Sequence, residues 1–148
     1  MYKQLSMDDK GNVIYNQYFS NDILAVTPNG IKTKYIVDFG KYNIPDPKKY
    51  KDEFELISDI NSSNKRYATF ISNICDSEKY LSFAFITNPG LLCLCVYDKK
   101  LKTTDVYTID DKKYSIAQII PTESFAYILL ADESGDYYMG KQQYTNKK

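Results

Sequence analysis

The sequence predicts an all-β chain made of antiparallel four-stranded meanders repeated along its length. Three observations predict it. Short apolar runs rich in tyrosine and phenylalanine, 15 and 7 of the 148 residues with no tryptophan, favour strands over helices. Turn-forming clusters such as Pro28-Asn29-Gly30 and Asn88-Pro89-Gly90 punctuate those runs, with proline presetting φ and glycine free to turn left-handed. The order of strand and turn signals also restarts after residue 66, and again after residue 112.

In chain order, residues 2–7 form a short strand and 8–12, with Gly11 and Asn12, a tight turn. Strands follow at 13–19 and 22–27, separated by Ser20-Asn21, and the turn 28–30 leads into 31–39. In that fourth strand Ile31, Thr33, Tyr35, Val37 and Phe39 alternate with Lys32, Lys34, Ile36 and Asp38. Such alternation is expected of a strand with one dry and one wet face, lysines outward. Residues 40–66 interrupt the pattern and are too long for a hairpin loop. Within them Asp46-Pro47 reads as a helix start, and Tyr50, Phe54, Ile57 and Ile60 make one apolar stripe. The expectation is a helix that packs on a sheet edge or face, its acids Asp52, Glu53, Glu55 and Asp59 solvated.

The second round has strands at 67–75, 80–87, 91–97 and 101–109. The run 91–97 is apolar on both faces, as expected of a strand covered on both sides. A third round has strands at 113–120, 124–131 and 136–143 and lacks a fourth. Gly90 and Gly135, in equivalent turns, lie 45 positions apart, the spacing of four-stranded propeller blades. The 69 positions from Asn21 to Gly90 exceed this mostly through the 27-residue segment 40–66. Val26 and Ile31-Lys32-Thr33 align with Val96 and Leu101-Lys102-Thr103. In each round the inner strands are the more apolar, a gradient that suits a propeller; a β-sandwich stays open as the alternative but does not predict it. The sequence therefore reads as a single partial β-propeller domain, with blade 1 at about 2–39, a helical insertion at about 40–66, blade 2 at about 67–109 and an incomplete blade 3 at about 113–143.

Residues 21–45, N-D-I-L-A-V-T-P-N-G-I-K-T-K-Y-I-V-D-F-G-K-Y-N-I-P, resemble a recurrent segment of the six-bladed β-propeller proteins abundant in Bacteroides-type bacteria. That segment runs roughly N-D-x-I-Y, then Y-x-hydrophobic-D-F-G-K, then I-P; Leu24-Ala25 stands where the family more often has Ile-Tyr. The likeness covers about residues 13–107. Members are typically more than twice this length and carry an export or lipoprotein signal. The resemblance thus implies the later portion of such a propeller, or a short relative, and an extracytoplasmic setting for full-length relatives. It brings no established activity and no catalytic residues to carry over.

Composition narrows the function classes. Lysine plus arginine equals aspartate plus glutamate, at 19 each, which gives no electrostatic footprint for nucleic acid or an anionic membrane. The first ten residues lack the apolar core of a signal peptide, and no apolar run approaches a membrane span. Cys75, Cys93 and Cys95 are an odd number; Cys93 and Cys95 should share one strand face as small buried hydrophobes. Without histidine there is no Ser-His-Asp or Cys-His arrangement. Carboxylates cluster at Asp8/Asp9, Asp110/Asp111 and Asp132/Glu133/Asp136, all at turns where aspartate commonly bonds the backbone. No catalytic, cofactor-binding or metal-binding residue is assigned, and no cofactor is expected.

Two readings from different classes stay open. One is a non-enzymatic binding or interaction module. The other is a carbohydrate-active enzyme using paired carboxylates, which would need them converging in one pocket roughly 5–10 Å apart. A truncated remnant without a role of its own is a third. An arc of three blades leaves an open face at each end. At ~25 cal/mol/Å² over several hundred Å², each forgoes roughly 10 kcal/mol of burial, which rivals the ~5–15 kcal/mol stability of a domain. The expected consequence is a homo-oligomer, most simply a two-fold dimer whose arcs approximate a six-bladed ring, with any ligand or protein partner unidentified.

Overall fold

The computed structural model describes residues 5–62, 67–87, 90–108 and 113–144. Within them the chain is all-β, with three antiparallel sheets of four, four and three strands. The first sheet, blade 1, runs in order through β1 (Leu5–Met7), β2 (Val13–Asn16), β3 (Asp22–Thr27) and β4 (Gly30–Ile36). Blade 2 holds β5 (Ala68–Asp76), β6 (Tyr80–Thr87), β7 (Leu91–Asp98) and β8 (Thr103–Thr108). Blade 3 holds β9 (Ser115–Pro121), β10 (Phe125–Ala131) and β11 (Tyr137–Gln143).

The blades stack face on face, and blade 2 lies in the middle. Leu81, Phe83, Phe85, Cys93 and Cys95 pack against Ile14, Ile23 and Ala25 of blade 1, with Tyr35, Val37 and Phe39 joining them. The alternate residues of the same strands, Tyr80, Ala84, Leu92, Leu94 and Val96, pack against Ile119, Ala126 and Ile128 of blade 3. The period of two in β6 and β7 thus feeds two cores at once, and Cys93 and Cys95 share the face towards blade 1. Cys93 and Cys95 are free thiols. Tyr144, just past the last strand, is buried: its ring meets Tyr80 at 5.2 Å, and its hydroxyl hydrogen-bonds Ser82 Oγ and donates to the Thr122 carbonyl at 3.0 Å.

Several expectations need correction. The register of β3 with β4 shifts between Ile23 and Leu24, so that Ile23 opposes Tyr35 and Leu24 opposes Thr33, leaving Lys34 as the extra residue of a bulge. A bulge exchanges the two faces of a strand. Ile31 and Thr33 therefore do not share a face with Tyr35, Val37 and Phe39; Ile31 is 62% exposed on the side away from blade 2. The pairing of Val26 with Val96 is also off by one. Val13 opposes both Met7 and Val26, as Leu81 opposes both Asp76 and Tyr97, so Val26 corresponds to Tyr97. The cause is turn length: Thr27 opposes Gly30, but Asp98 opposes Thr103, and Leu101 and Lys102 belong to the longer turn.

The strand expected at 13–19 ends at Asn16, because Gln17 to Ser20 close a turn in which Ser20 N–H donates to the Gln17 carbonyl and Phe19 takes a positive φ of 56°. Asp46 caps only the 3-10 turn Pro47–Lys49. The α-helix, α1, is Glu53–Ser62. Its start is set by Asp52, whose Oδ1 accepts from Glu55 N–H at 2.9 Å while Glu55 reaches back to Lys51 N–H at 2.7 Å, a reciprocal arrangement akin to a capping box. The buried face is Leu56 and Ile60, packed with Tyr67, Phe19, Ile44 and Tyr50. Phe54, expected in that stripe, is 83% exposed.

Candidate functional site

The hairpins that join the first two strands of each blade close in the same way. In blade 1 Asp8 N–H donates to the Asn12 carbonyl, in blade 2 Ser77 N–H to Tyr80, and in blade 3 Thr122 N–H to Phe125, at 2.9, 2.9 and 2.7 Å. Aspartate, serine and threonine suit this position because a short side chain can bond the turn's own backbone. These three hairpins surround a cavity of about 590 Å³ whose lining includes Asp8, Asp9, Asp76, Glu78, Lys79 and Glu123. Five of those six side chains are acidic.

Below its mouth lies an ion cluster that joins blades 1 and 2. Lys34 Nζ is 2.7 Å from Asp8 Oδ2, 2.7 Å from Asp76 Oδ2 and 4.0 Å from Asp9 Oδ1. Lys99 Nζ is 2.6 Å from Asp76 Oδ1 and also donates to the Ser77 carbonyl. Tyr35 donates its hydroxyl to Asp76 Oδ1 at 3.0 Å, and its ring lies beneath both ammonium groups. Asp8 accepts further bonds from Lys10 N–H, Asn12 N–H and the Asn12 amide. The β4 bulge is what makes this possible, since it aims Lys34 at the cluster while Tyr35 still faces blade 2.

Electrostatics follow from the geometry. Burial raises the Asp8 carboxyl, but Lys34 and the turn N–H groups outweigh it and hold the group well below the usual carboxylate range. Burial opposes the charge on Lys34, yet bonds to Asp76 and Asp8 keep its ammonium well above the usual lysine range. Lys99 is raised by Asp76 against its own burial. Burial and then the neighbouring Asp76 push the Tyr35 phenol up. Burial lifts the Cys95 thiol to about 12, which leaves it inert.

What the arrangement can do chemically is limited by these pairings. One carboxylate oxygen each from Asp8, Asp9 and Asp76 lies within 4.8 Å of the others, spacing that could serve a metal ion. The Lys34 ammonium, however, already supplies positive charge to all three. The same pairing argues against Asp8 as a general acid, because Lys34 and the turn N–H groups hold it ionised. Asp132 closes its own turn, accepting from Ser134 N–H, Asp136 N–H and the Tyr138 hydroxyl. Asp110 and Asp111 lie outside the described residues. The carboxylates Asp9, Glu78 and Glu123 remain at the cavity mouth. Of the residues gathered here, sequence reasoning singled out Asp8 and Asp9 but not Asp76, Lys34 or Lys99; the only local signal was an aspartate opening the 76–79 turn.

Among the described residues no helix is long and apolar enough to cross a membrane, a statement that concerns helices alone. A family model described as 6-bladed beta-propeller matches residues 3–129. No curated protein matches. Among solved structures, a candidate exported protein of Bacteroides fragilis is similar with a TM-score of 0.63 at 18% identity, over 86% of this chain and 38% of its own. The chain spans well under half of that protein's length, and at this identity the likeness concerns the fold.

Proposed function

Because the chain belongs to the 6-bladed beta-propeller family, we propose that it is a propeller-type binding and interaction module that self-associates through its open blade faces. The observation that carries this reading is the outer face of blade 1. Cross-strand partners share a face, and the pairings put Leu5, Met7, Val13, Tyr15, Leu24, Val26 and Ile31 on the side away from blade 2. Met7 is 62% and Val26 42% exposed. A continuous apolar face across four strands is what a protein buries against another surface.

The three blades act as one domain, with residues 40–62 bracing blade 1 through Phe19 and Asn21 rather than forming a separate unit. The acidic hairpin rim offers a place for a ligand or protein partner, and the lysine pairing of Asp8 and Asp76 favours binding over catalysis. The description of the Bacteroides fragilis protein supports an extracytoplasmic setting for this chain as well. Sedimentation velocity from 1 to 100 μM tests self-association. The expected result is a reversible dimer, and a monomer throughout that range contradicts it.

A further inference from the structure

Each blade has two distinct faces, and the two interfaces within the chain use them in the same order. Blade 1 presents Ile14, Ile23 and Ala25 to blade 2, which meets them with Leu81, Phe83, Cys93 and Cys95. Blade 2 then presents Tyr80, Ala84, Leu94 and Val96, and blade 3 meets them with Ala126, Ile128 and Leu130. The hairpin register makes these sets equivalent. Val13, Leu81 and Ala126 each follow the closing residue of the first hairpin, and Leu81 and Ala126 both face the preceding blade. The structure therefore holds one rule, observed twice: the forward face of a blade seats on the backward face of the next.

By that rule the two faces left open are different halves. Blade 1 exposes a backward face, the aliphatic surface of Leu5, Met7, Val13, Leu24, Val26 and Ile31. Blade 3 exposes a forward face. Its pairings place Ile120, Tyr127 and Lys141 together, and Leu129 with Met139. Tyr127 is 39% exposed, whereas its equivalents Ser82 and Ile14 are fully buried in the covered blades. Phe125 packs edge-on to Tyr127 at 4.8 Å, and Lys141 lies over the Phe125 ring at 3.9 Å, so its stem covers the ring while the ammonium reaches towards solvent.

We propose, resting on the self-association reading, that the occupant of blade 1's open face is blade 3 of a second copy. The contact continues the order of the two internal interfaces. It is head-to-tail and made twice in a two-fold pair. Pairing two blade 1 faces would set backward face on backward face, an arrangement used at neither internal interface, and would leave blade 3 open. Two head-to-tail contacts, each burying on the order of several hundred Å² per side, together reach the roughly 1,200–2,000 Å² of a stable complex.

Charge placed on either face tests this with the full chain. Val26→Lys and Tyr127→Glu sit on opposite faces, at exposed positions where the monomer tolerates substitution; circular dichroism confirms folding, and Met7→Glu and Met139→Lys replace any variant that fails to fold. The expected result is that each substitution alone weakens the dimer by roughly 100-fold or more, because a charge is buried in an apolar contact. Mixing the Val26 and Tyr127 variants should recover association, since one intact contact remains between them. A dimer that withstands Tyr127→Glu but not Val26→Lys overturns the head-to-tail contact while leaving self-association standing. A mass that climbs past two copies overturns ring closure. A monomeric unsubstituted chain overturns both.

Discussion

Strands β3 and β7 hold the same place in successive blades, and both are apolar on both sides. In β7, Cys93 and Cys95 meet blade 1 while Leu92, Leu94 and Val96 meet blade 3. In β3, Ile23 and Ala25 meet blade 2, but Leu24 and Val26 face no other sheet among the described residues. An antiparallel sheet wet on one side normally shows polar residues there. Blade 1 thus carries the surface of an inner blade without a cover. Blade 3 differs again: its open face mixes Tyr127, Leu129 and Met139 with Gln118 and Lys141. The difference teaches that the outer face of blade 1 is apolar throughout, as an inner blade's is, whereas that of blade 3 is mixed.

The comparison can be broken first at its best-covered point. Phe83 is buried between blades 1 and 2, so Phe83→Ala should cost about 3–5 kcal/mol in urea denaturation. Val26→Ala, measured on monomer at high dilution, should cost less than about 1 kcal/mol. Equal losses would mean that blade 1's outer face is already covered within one copy.

Asp76→Ala should cost about 1–3 kcal/mol, because it leaves Lys99 with the Ser77 carbonyl and Lys34 with Asp8 as their remaining close partners at the blade 1–blade 2 junction. A loss under about 1 kcal/mol would show that the cluster contributes little to holding the blades together.

The pH profile sharpens the same point. Asp8 is held below its ordinary value in the folded chain, so its stabilisation is complete above about pH 4 and is lost as pH falls further. Lys34 is held above its ordinary value, so its contribution is complete below about pH 10 and is lost as pH rises beyond that. Stability should run level through neutral pH, and Asp8→Asn should flatten the acid limb and, by removing one of the two close carboxylates of Lys34, also shrink the alkaline one. An unchanged acid limb in that variant contradicts the assignment. The smallest effect is expected at the rim, where Glu123→Gln should change stability by less than about 0.5 kcal/mol.

Much of the fold was legible because short turns announce themselves locally. Gly30, Gly90 and Gly135 all adopt positive φ, and strand alternation in β6 and β7 reports two covered faces directly. The bulge at Lys34 was not legible. It inserts one residue without changing composition, so the alternation of 31–39 looked unbroken while its faces exchanged. In β5, Phe70 and Asn73 take positive φ at 57° and 50°, at register shifts that let Asn73 donate its amide to the Ile119 carbonyl at 2.8 Å; no local residue preference signals this. The helix stripe was misread because Tyr50 precedes the helix, which shifts the buried face to Leu56 and Ile60. Of the ion cluster, the sequence offered only the acids of one turn. Lys34 meets Asp8 and Asp76 across long separations that no periodicity encodes.

Hydrogen exchange of β3 against β7 at two protein concentrations tests the central claim most directly. If a second copy covers blade 1, protection in β3 should rise towards that of β7 between 1 and 100 μM, as mass action stabilises the associated form. Protection in β3 that stays well below β7 and does not change with concentration would contradict the account.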